Sequence, residues 1–126
     1  MIIPLFTLQT KVQKGHSRGK KLGFPTINSP IERSFPDGIY FSYATVAGKR
    51  YNALTFIGEA KTFNETEYLS ETYLLDFAQD IYGQDVTVEV LKKLRDNQKF
   101  ASEEELIKQM EDDRKQAEAF FKQKKE

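Results

Sequence analysis

The sequence predicts a mainly β domain in which short antiparallel strands form a small barrel and one C-terminal α-helix packs against it. Between about residues 5 and 100, segments rich in aromatic and β-branched residues alternate with glycine, proline and polar turns. From about residue 103 to 122, the apolar residues recur instead with the period of a helix. The 126 residues, 39% of them hydrophobic, suit a single domain over residues 1–126.

About five main strands follow from the two-residue alternation and the turn signals. The predicted strands run from Phe6 to Val12, from Ile39 to Val46, from Tyr51 to Ile57, from Tyr68 to Phe77, and through Val86, Val88 and Val90. A hairpin is expected across Ala47–Arg50, between the second and third of these strands. The stretch from Gly15 to Asp37, which contains three prolines, is expected to be a long structured loop.

The predicted helix carries its own start signal. Ser102-Glu103-Glu104-Glu105 matches a capping box, in which the serine oxygen accepts the amide of Glu105 and the Glu105 carboxylate returns to the amide of Ser102. The apolar stripe of the helix consists of Leu106, Ile107, Met110, Ala117, Phe120 and Phe121. We expect this stripe to pack on the barrel.

Composition limits the partners. Lysine plus arginine and aspartate plus glutamate balance at 19 each, so no global charge favours nucleic acid or an anionic membrane. No apolar run approaches the roughly 20 residues that span a bilayer. Cysteine is absent and His16 is the one histidine, so any catalytic metal is expected to be a hard cation bound by oxygens rather than zinc. These observations favour a cytoplasmic protein, with a monomer as the default.

The segment Gly15-His16-Ser17-Arg18-Gly19-Lys20-Lys21 combines bare backbone with positive charge. Glycine lets amide groups approach phosphate oxygens and the basic side chains offset their charge, so the segment suits an anionic ligand. It is not a P-loop, since the glycine spacing before Lys-Ser/Thr is missing. A solvated basic hairpin loop explains the same pattern.

The segment Gly23-Phe24-Pro25-Thr26-Ile27-Asn28 is more unusual. Pro25 fixes its own φ and biases Phe24 toward extended geometry, so Thr26 and Asn28 point the same way if the chain stays extended. Two neutral oxygens suit Mg²⁺, which keeps waters and takes further ligands from substrate phosphates. The alternative is a Pro-Thr turn in which Asn28 binds its own backbone.

Glu71 lies in the predicted fourth strand, on the same face as the apolar Tyr73 and Leu75. A carboxylate on the core side is costly unless it is paired or functional. Partial burial beside a hydroxyl-bearing substrate suits a general base, whereas the alternative is a glutamate that reaches solvent at a strand end. Thr72 and Asp76 lie on the opposite face and are expected at the surface or rim.

Arg95 and Phe100 flank a polar run after the last predicted strand. Arginine stacks and hydrogen-bonds through a planar fork, so a cation and an aromatic ring here suit a flat, polar ligand. The alternative is that Arg95 pairs with Asp96 or the start of the helix, and that Phe100 belongs to the core.

The order of these segments resembles the riboflavin kinase (flavokinase) family, in particular the C-terminal kinase domain of bacterial bifunctional riboflavin kinase/FMN adenylyltransferases. The matching motifs are Phe6-Thr7-Leu8, Gly15-x-x-Arg18-Gly19-Lys20, Leu22-Gly23-Phe24-Pro25-Thr26-Ile27-Asn28, Gly38-Ile39-Tyr40, Glu71-Thr72-Tyr73-Leu74-Leu75-Asp76-Phe77, Ile81-Tyr82-Gly83, Leu94-Arg95, Lys99-Phe100, Leu106-Ile107 and Asp112-Asp113. They cover nearly the whole chain. The resemblance implies a six-stranded antiparallel Greek-key β-barrel with one C-terminal α-helix, which transfers the γ-phosphate of ATP to the 5′-hydroxyl of riboflavin to form FMN. Synthesis of FAD is not expected, since nothing in these residues resembles the adenylyltransferase domain.

The resemblance also implies the site. The family's catalytic base falls on Glu71. Its metal ligands fall on Thr26 and Asn28, its ATP-binding residues on Gly15, Lys20, Thr26, Asn28, Leu74, Asp76 and Tyr82, and its flavin-binding residues on Arg95, Gln98 and Phe100. The implied ligands are Mg²⁺ or another divalent cation, ATP as co-substrate, and riboflavin and FMN as substrate and product.

One position departs from the family pattern. Lys61 stands in Gly58-Glu59-Ala60-Lys61-Thr62-Phe63 where the family often has proline, and the loss of a fixed φ is expected to loosen a loop that borders the substrates. This departure supports an alternative function, a non-catalytic flavin- or nucleotide-binding barrel module. A nucleic-acid-binding barrel is a third interpretation, which the balanced charge disfavours.

Overall fold

The computed structural model describes residues 3–11, 26–30, 35–61, 66–75 and 85–123. These residues form six strands and one helix. The elements are β1 (Phe6–Lys11), β2 (Thr26–Pro30), β3 (Gly38–Val46), β4 (Lys49–Lys61), β5 (Thr66–Leu74), β6 (Asp85–Arg95) and α1 (Glu103–Gln123). The protein is therefore mainly β with one C-terminal helix, as the sequence predicts.

The six strands form one sheet in the order β1-β6-β3-β4-β5-β2, and every neighbouring pair is antiparallel. The consecutive strands β3, β4 and β5 lie side by side, and β6 returns to lie beside β3, which is a Greek-key arrangement. Among the described residues, no hydrogen-bonded pairing joins β1 to β2, the two ends of this order. Their Cα atoms nevertheless approach within 8 Å, so the sheet is curled into a half-barrel. Full closure stays a prediction.

The strand β2 lies within the stretch that the sequence analysis leaves as a loop, and that prediction is wrong for Thr26–Pro30. The strand has only five residues and is the outermost in the order, where it pairs with β5 alone. Its last residue is Pro30, which an edge strand tolerates because no ladder hydrogen bond needs its missing N–H. Pairing with β5 thus overrides the local turn signals.

The hairpin between β3 and β4 is confirmed, with a shorter loop than predicted. Only Ala47 and Gly48 remain outside the strands, and both have positive φ, 51° and 79°. Two such residues are typical of a type I′ turn, whose twist matches that of the flanking strands. Lys49 and Arg50 instead pair with Val46 and Thr45.

Both faces of the sheet are buried at its centre. We call the concave face of the curled sheet the inner face. Its buried apolar residues are Tyr40, Ala44, Val46, Ala53, Ile57, Leu74, Val86, Val88 and Val90. The opposite face, called here the helix face, carries Ile39, Phe41, Leu54, Phe56, Tyr73 and Leu91, which pack with Met110, Ala117 and Phe121 of α1. Side chains of the strands alternate between these two faces because the period of a strand is two.

The helix begins and ends close to the predicted positions, and one of the two bonds of the predicted capping box is present. The Glu105 amide donates to Ser102 Oγ at 3.2 Å. The Glu105 carboxylate accepts from the amide of Ala101 at 3.1 Å, one residue before the predicted Ser102 amide. Met110, Ala117 and Phe121 of the predicted stripe are buried, and no helix in the described part of the chain is long and apolar enough to cross a membrane.

Three hydroxyl groups form a hydrogen-bonded row across the inner face. Ser42 Oγ lies 2.8 Å from Thr55 Oγ1, which lies 2.9 Å from Thr72 Oγ1. Thr72 is only 1% exposed, so its predicted place at the surface or rim is wrong. The reason is that the curled sheet covers the inner face, which strand alternation alone does not predict. Each hydroxyl satisfies its neighbour in a site that water does not reach.

Substitution Thr55→Val removes the central hydroxyl and keeps the β-branched shape. Ser42 and Thr72 then lose a buried partner, so we expect the free energy of unfolding to fall by about 1–3 kcal/mol. Urea denaturation measures this change. Thr45→Val, at a half-buried threonine on the other face of β3, is the matched control. Equal stability of the two variants would show that the hydroxyl row contributes nothing.

Candidate active site

The pairing of β2 with β5 brings together residues that the sequence analysis selects separately. Asn28 lies directly opposite Glu71, and Thr26 lies directly opposite Tyr73. Opposite residues of an antiparallel pair lie on the same face, with Cβ atoms roughly 4.5–5.5 Å apart. The two predicted metal ligands and the predicted base therefore share one face of the sheet, within two residues of each other along the strands.

Glu71 is buried on the helix face of β5, with 8% of its surface exposed. Its other cross-strand neighbour is Phe56 of β4, and Tyr73, two residues along β5, is 5% exposed. The predicted face shared by Glu71 and Tyr73 is thus present, and a solvent-reaching glutamate is excluded. Buried carboxylates are uncommon in protein interiors and occur often at functional sites.

Of the remaining predicted nucleotide-binding residues, the structure describes Leu74. Gly15, Lys20, Asp76 and Tyr82 lie outside the described residues. Leu74 is described, and its side chain is fully buried in the inner face with 0% exposed. Any contact of Leu74 with a nucleotide would therefore involve its backbone, and the nucleotide role of these residues stays a prediction.

The end of β6 holds the second part of the site. Its pairing with β3 shifts register twice, between Ile39 and Tyr40 and between Phe41 and Ser42. Such bulges re-aim the residues that follow them. As a result Arg95 lies opposite Ile39, a residue of the helix face, and reaches α1.

Arg95 forms a bidentate ion pair with Asp113 of α1. Its Nε donates to Asp113 Oδ1 at 2.8 Å and its Nη2 to Oδ2 at 2.7 Å. The remaining nitrogen, Nη1, donates to the carbonyl of Asp96 at 3.0 Å. The alternative interpretation expects Arg95 to pair with Asp96 or with the start of the helix. Its charged partner is instead Asp113, in the middle of α1. Its predicted flavin contact stays a prediction.

Further contacts fix the segment that follows β6. Asn97 Nδ2 donates to the Ile57 carbonyl of β4 at 3.0 Å. The Lys93 ammonium hydrogen-bonds the Asp96 carboxylate, and this contact lowers the pKa of Asp96 and raises that of Lys93. Both groups are therefore charged at neutral pH. A β-carbon on Gly58 would lie 2.8 Å from Asn97 Nδ2, so only glycine leaves room for this approach.

An open pocket of about 580 Å³ lies where this segment meets the helix. It is lined by Gln98, Lys99, Phe100, Ala101, Ser102, Glu103 and Leu106. Two of the predicted flavin residues, Gln98 and Phe100, are thus brought together on one pocket wall. Phe100 is half-buried and is not part of the two hydrophobic clusters of the described residues, unlike the core position that the alternative interpretation expects.

The two parts of the site lie on the same face of the sheet. Asn97 contacts β4 at Ile57 and over Gly58, and Gly58 is two residues along β4 from Phe56. Phe56 is the cross-strand neighbour of Glu71. Two residues of a strand span roughly 6.5–7 Å. The anchor of the 96–100 segment on β4 therefore lies within a few residues of Glu71 on the sheet.

The residue types predicted as metal ligands suit a hard cation better than a transition metal. The described residues contain no group of three or more His, Cys, Asp or Glu side chains that could hold a metal ion. Threonine and asparagine oxygens at positions 26 and 28 suit Mg²⁺ with substrate phosphates completing its coordination. The donor types thus fit the predicted ion, although the ion itself stays a prediction.

The fold and this face define a small β domain with a buried carboxylate on the helix face and a pocket at the start of its helix. The chain belongs to the riboflavin kinase family, since the family model described as "Flavokinase: Riboflavin kinase" matches residues 4–121.

Known proteins with similar sequences are longer. The chain is 36% identical over 113 residues to the bifunctional riboflavin kinase/FMN adenylyltransferase of Bacillus subtilis, covering 85% of this chain and 36% of that protein. It is 36% identical over 124 residues to the trifunctional protein RibF/MnmA of Mycoplasmoides gallisepticum, covering 96% and 19%. A crystal structure of a protein described as a macrolide-efflux protein from Streptococcus pneumoniae matches with a TM-score of 0.74 and 34% identity, covering 89% and 38%. The chain therefore spans less than two fifths of each relative.

Sequence reasoning assigned no role to two residues of this site. Asp113 lies inside the apolar stripe of α1 and is 3% exposed, and a charged residue at a stripe position is the signal that could have revealed it. Asn97 follows Arg95 in an exposed polar run that looks like an ordinary loop, and no local signal marks its contact with β4.

Substitution Arg95→Met tests the ion pair. It leaves the Asp113 carboxylate, whose side chain is 4% exposed, without its cation, so we expect the free energy of unfolding to fall by about 3 kcal/mol. The double variant Arg95→Met/Asp113→Leu removes both charges and should recover most of this loss. Urea denaturation of the two single variants and the double variant gives the coupling energy. Strict additivity would contradict a direct interaction.

Proposed function

We propose that this domain is a riboflavin kinase that transfers the γ-phosphate of ATP to the 5′-hydroxyl of riboflavin, yielding FMN and ADP. The proposal rests mainly on the β2–β5 register. In this register Asn28 is opposite the buried Glu71. Membership in the family supports the choice of substrates. The names of the bifunctional relatives support it further, since they include riboflavin kinase.

In this proposal Glu71 is the general base. The ribityl oxygen forms a bond to the γ-phosphorus while the bond from that phosphorus to the β,γ-bridging oxygen breaks, so that ADP leaves. The hydroxyl proton passes to the Glu71 carboxylate. Because phosphoryl transfer usually has a loose transition state, Glu71 need only orient the hydroxyl and accept its proton late. Burial of Glu71 limits its contact with bulk water.

The nucleotide side of the proposal lies at β2. Thr26 and Asn28 would hold Mg²⁺, which supplies charge neutralisation at the ATP phosphates when bound. Gly15 and Lys20 are proposed to contact the phosphates, and Leu74, Asp76 and Tyr82 the rest of the nucleotide. We also propose that the sheet closes into a barrel between β1 and β2. The chain is proposed to form one domain and to be a cytoplasmic monomer.

The flavin side lies at the 96–100 segment. Gln98 and Phe100 line the pocket, and an aromatic wall beside a side-chain amide suits a planar ring with polar edges. Arg95 uses three of its five N–H groups in the described contacts, which leaves two for a flavin.

Substitution Glu71→Gln keeps the shape of the side chain and removes the base. We expect FMN formation, measured by chromatography, to fall by a factor on the order of 10² to 10⁴ while riboflavin and Mg-ATP still bind. The matched control is Glu89→Gln, at a half-buried strand glutamate of β6. Near-normal turnover of the Glu71 variant would remove this residue from the role of base.

The unmodified protein decides between an enzyme and the alternative binding module. Incubation with riboflavin and Mg-ATP should produce FMN. Tight riboflavin binding without any FMN would favour the non-catalytic module, and salt-sensitive binding of single-stranded nucleic acid would favour the third interpretation.

Substitutions Thr26→Val and Asn28→Ala test the metal ligands. Each removes one neutral oxygen, so we expect the KM for Mg-ATP to rise on the order of 10-fold while riboflavin binding stays unchanged. The control is Ser29→Ala. Ser29 follows Asn28 in β2 and lies on the other face of the strand. Parental Mg-ATP affinity in both variants would contradict the assignment.

A further inference from the structure

We propose that Asp113 is a positioning residue that orients Arg95 and, through it, the 96–100 segment that lines the pocket. The inference deepens the proposed function and rests on it, because the segment is the proposed flavin wall. Asp113 itself is not expected to touch either substrate. Its role would be exerted across one ion pair and one backbone hydrogen bond.

Both oxygens of Asp113 are committed to fixed donors. Oδ1 accepts from Arg95 Nε at 2.8 Å and from Gln109 Nε2 at 3.0 Å, and Oδ2 accepts from Arg95 Nη2 at 2.7 Å. The carboxylate is 3% exposed, so water does not compete for it. A bidentate pair of this kind fixes the plane of the guanidinium as well as its position. Gln109 in turn fixes the plane of the carboxylate.

The same guanidinium holds the first peptide group of the segment. With Nε and Nη2 turned to the helix, Nη1 donates to the Asp96 carbonyl at 3.0 Å. Asn97 adds a second anchor through its bond to the Ile57 carbonyl, over the space that Gly58 leaves. Two successive residues are thus held, Asp96 by the Arg95 guanidinium that is bound to α1 and Asn97 directly by β4. Gln98 and Phe100 follow directly and line the pocket.

Docking of the helix does not by itself require this ion pair. Phe120 stacks on Phe41 with ring centroids 4.2 Å apart, and Met110, Ala117 and Phe121 are buried against the helix face. Apolar contacts of this kind hold a helix without a charge, and a buried ion pair is often no more stabilising than apolar residues of similar size. What an apolar pair cannot supply is the third N–H that binds the Asp96 carbonyl.

The neighbouring Asp112 offers a matched comparison. Asp112 is exposed, and its Oδ2 accepts from Nε2 of Gln116 in the same helix at 2.7 Å. Asp113 likewise accepts from a glutamine of the helix, Gln109. The two aspartates therefore share residue type, helix and glutamine contact. They differ in burial and in the contact with Arg95.

The test compares Asp113→Asn with Asp112→Asn at a temperature where circular dichroism shows both variants folded. We expect Asp113→Asn to raise the Kd for riboflavin, measured by flavin fluorescence without ATP, on the order of 10-fold, and to raise its KM similarly. The KM for Mg-ATP and the kcat at saturating riboflavin should stay within about 2-fold of the parent. Asp112→Asn should match the parent in all four quantities. A merely structural role would move both substrates together or neither.

A second variant avoids the helix altogether. Asn97→Ala removes the other anchor of the segment and should give the same selective loss of riboflavin affinity. Parental riboflavin affinity in folded Asp113→Asn and Asn97→Ala would overturn the positioning role and leave the proposed function standing. A parent protein that neither binds riboflavin nor forms FMN would overturn both. Equal losses for riboflavin and Mg-ATP would reduce Asp113 to a stabilising residue.

Discussion

The register of β5 between β4 and β2 is the constraint on which the rest of the site depends. On the inner face, Thr72 hydrogen-bonds Thr55 in the buried hydroxyl row, and this contact exists in only one alignment of the strands. A slip by one residue would exchange the faces of Glu71 and Thr72. It would place a carboxylate in the inner core and a threonine opposite the predicted ligands of β2. A polar contact on one face thus determines the chemistry available on the other.

The helix completes the face that this register exposes. Its apolar stripe covers the centre of the sheet, and Asp113 connects it through Arg95 to the segment that leads to the pocket. The pocket itself lies at the first turn of the helix, where Ser102 and Glu105 satisfy the free amides through the capping box. Helix start, pocket wall and ion pair therefore form one continuous unit rather than three separate features.

Local signals predicted much of this structure, and non-local pairing explains what they missed. The capping box predicted the helix start, and the period of two placed Glu71 and Tyr73 on one face. The strand β2 was missed because five residues bounded by prolines give too little alternation. Asp113 interrupts an apolar stripe, so a pattern of hydrophobic residues passes over it. Asn28 and Glu71 are distant in the chain and become neighbours only when β2 pairs with β5. Neither segment alone carries a signal that predicts this pairing.

The absence of cysteine from the chain permits one direct measurement of the central register. In the double variant Asn28→Cys/Glu71→Cys, the Cα atoms are opposite partners in an antiparallel pair, within the roughly 4.4–6.8 Å that a disulfide requires. Mild oxidation should therefore consume both thiols, as counted by thiol titration of the unfolded protein. The pair Asn28→Cys/Thr72→Cys lies on opposite faces and should keep both thiols free. Disulfide formation in the second variant but not in the first would contradict the register, and with it the placement of Glu71 beside the β2 ligands.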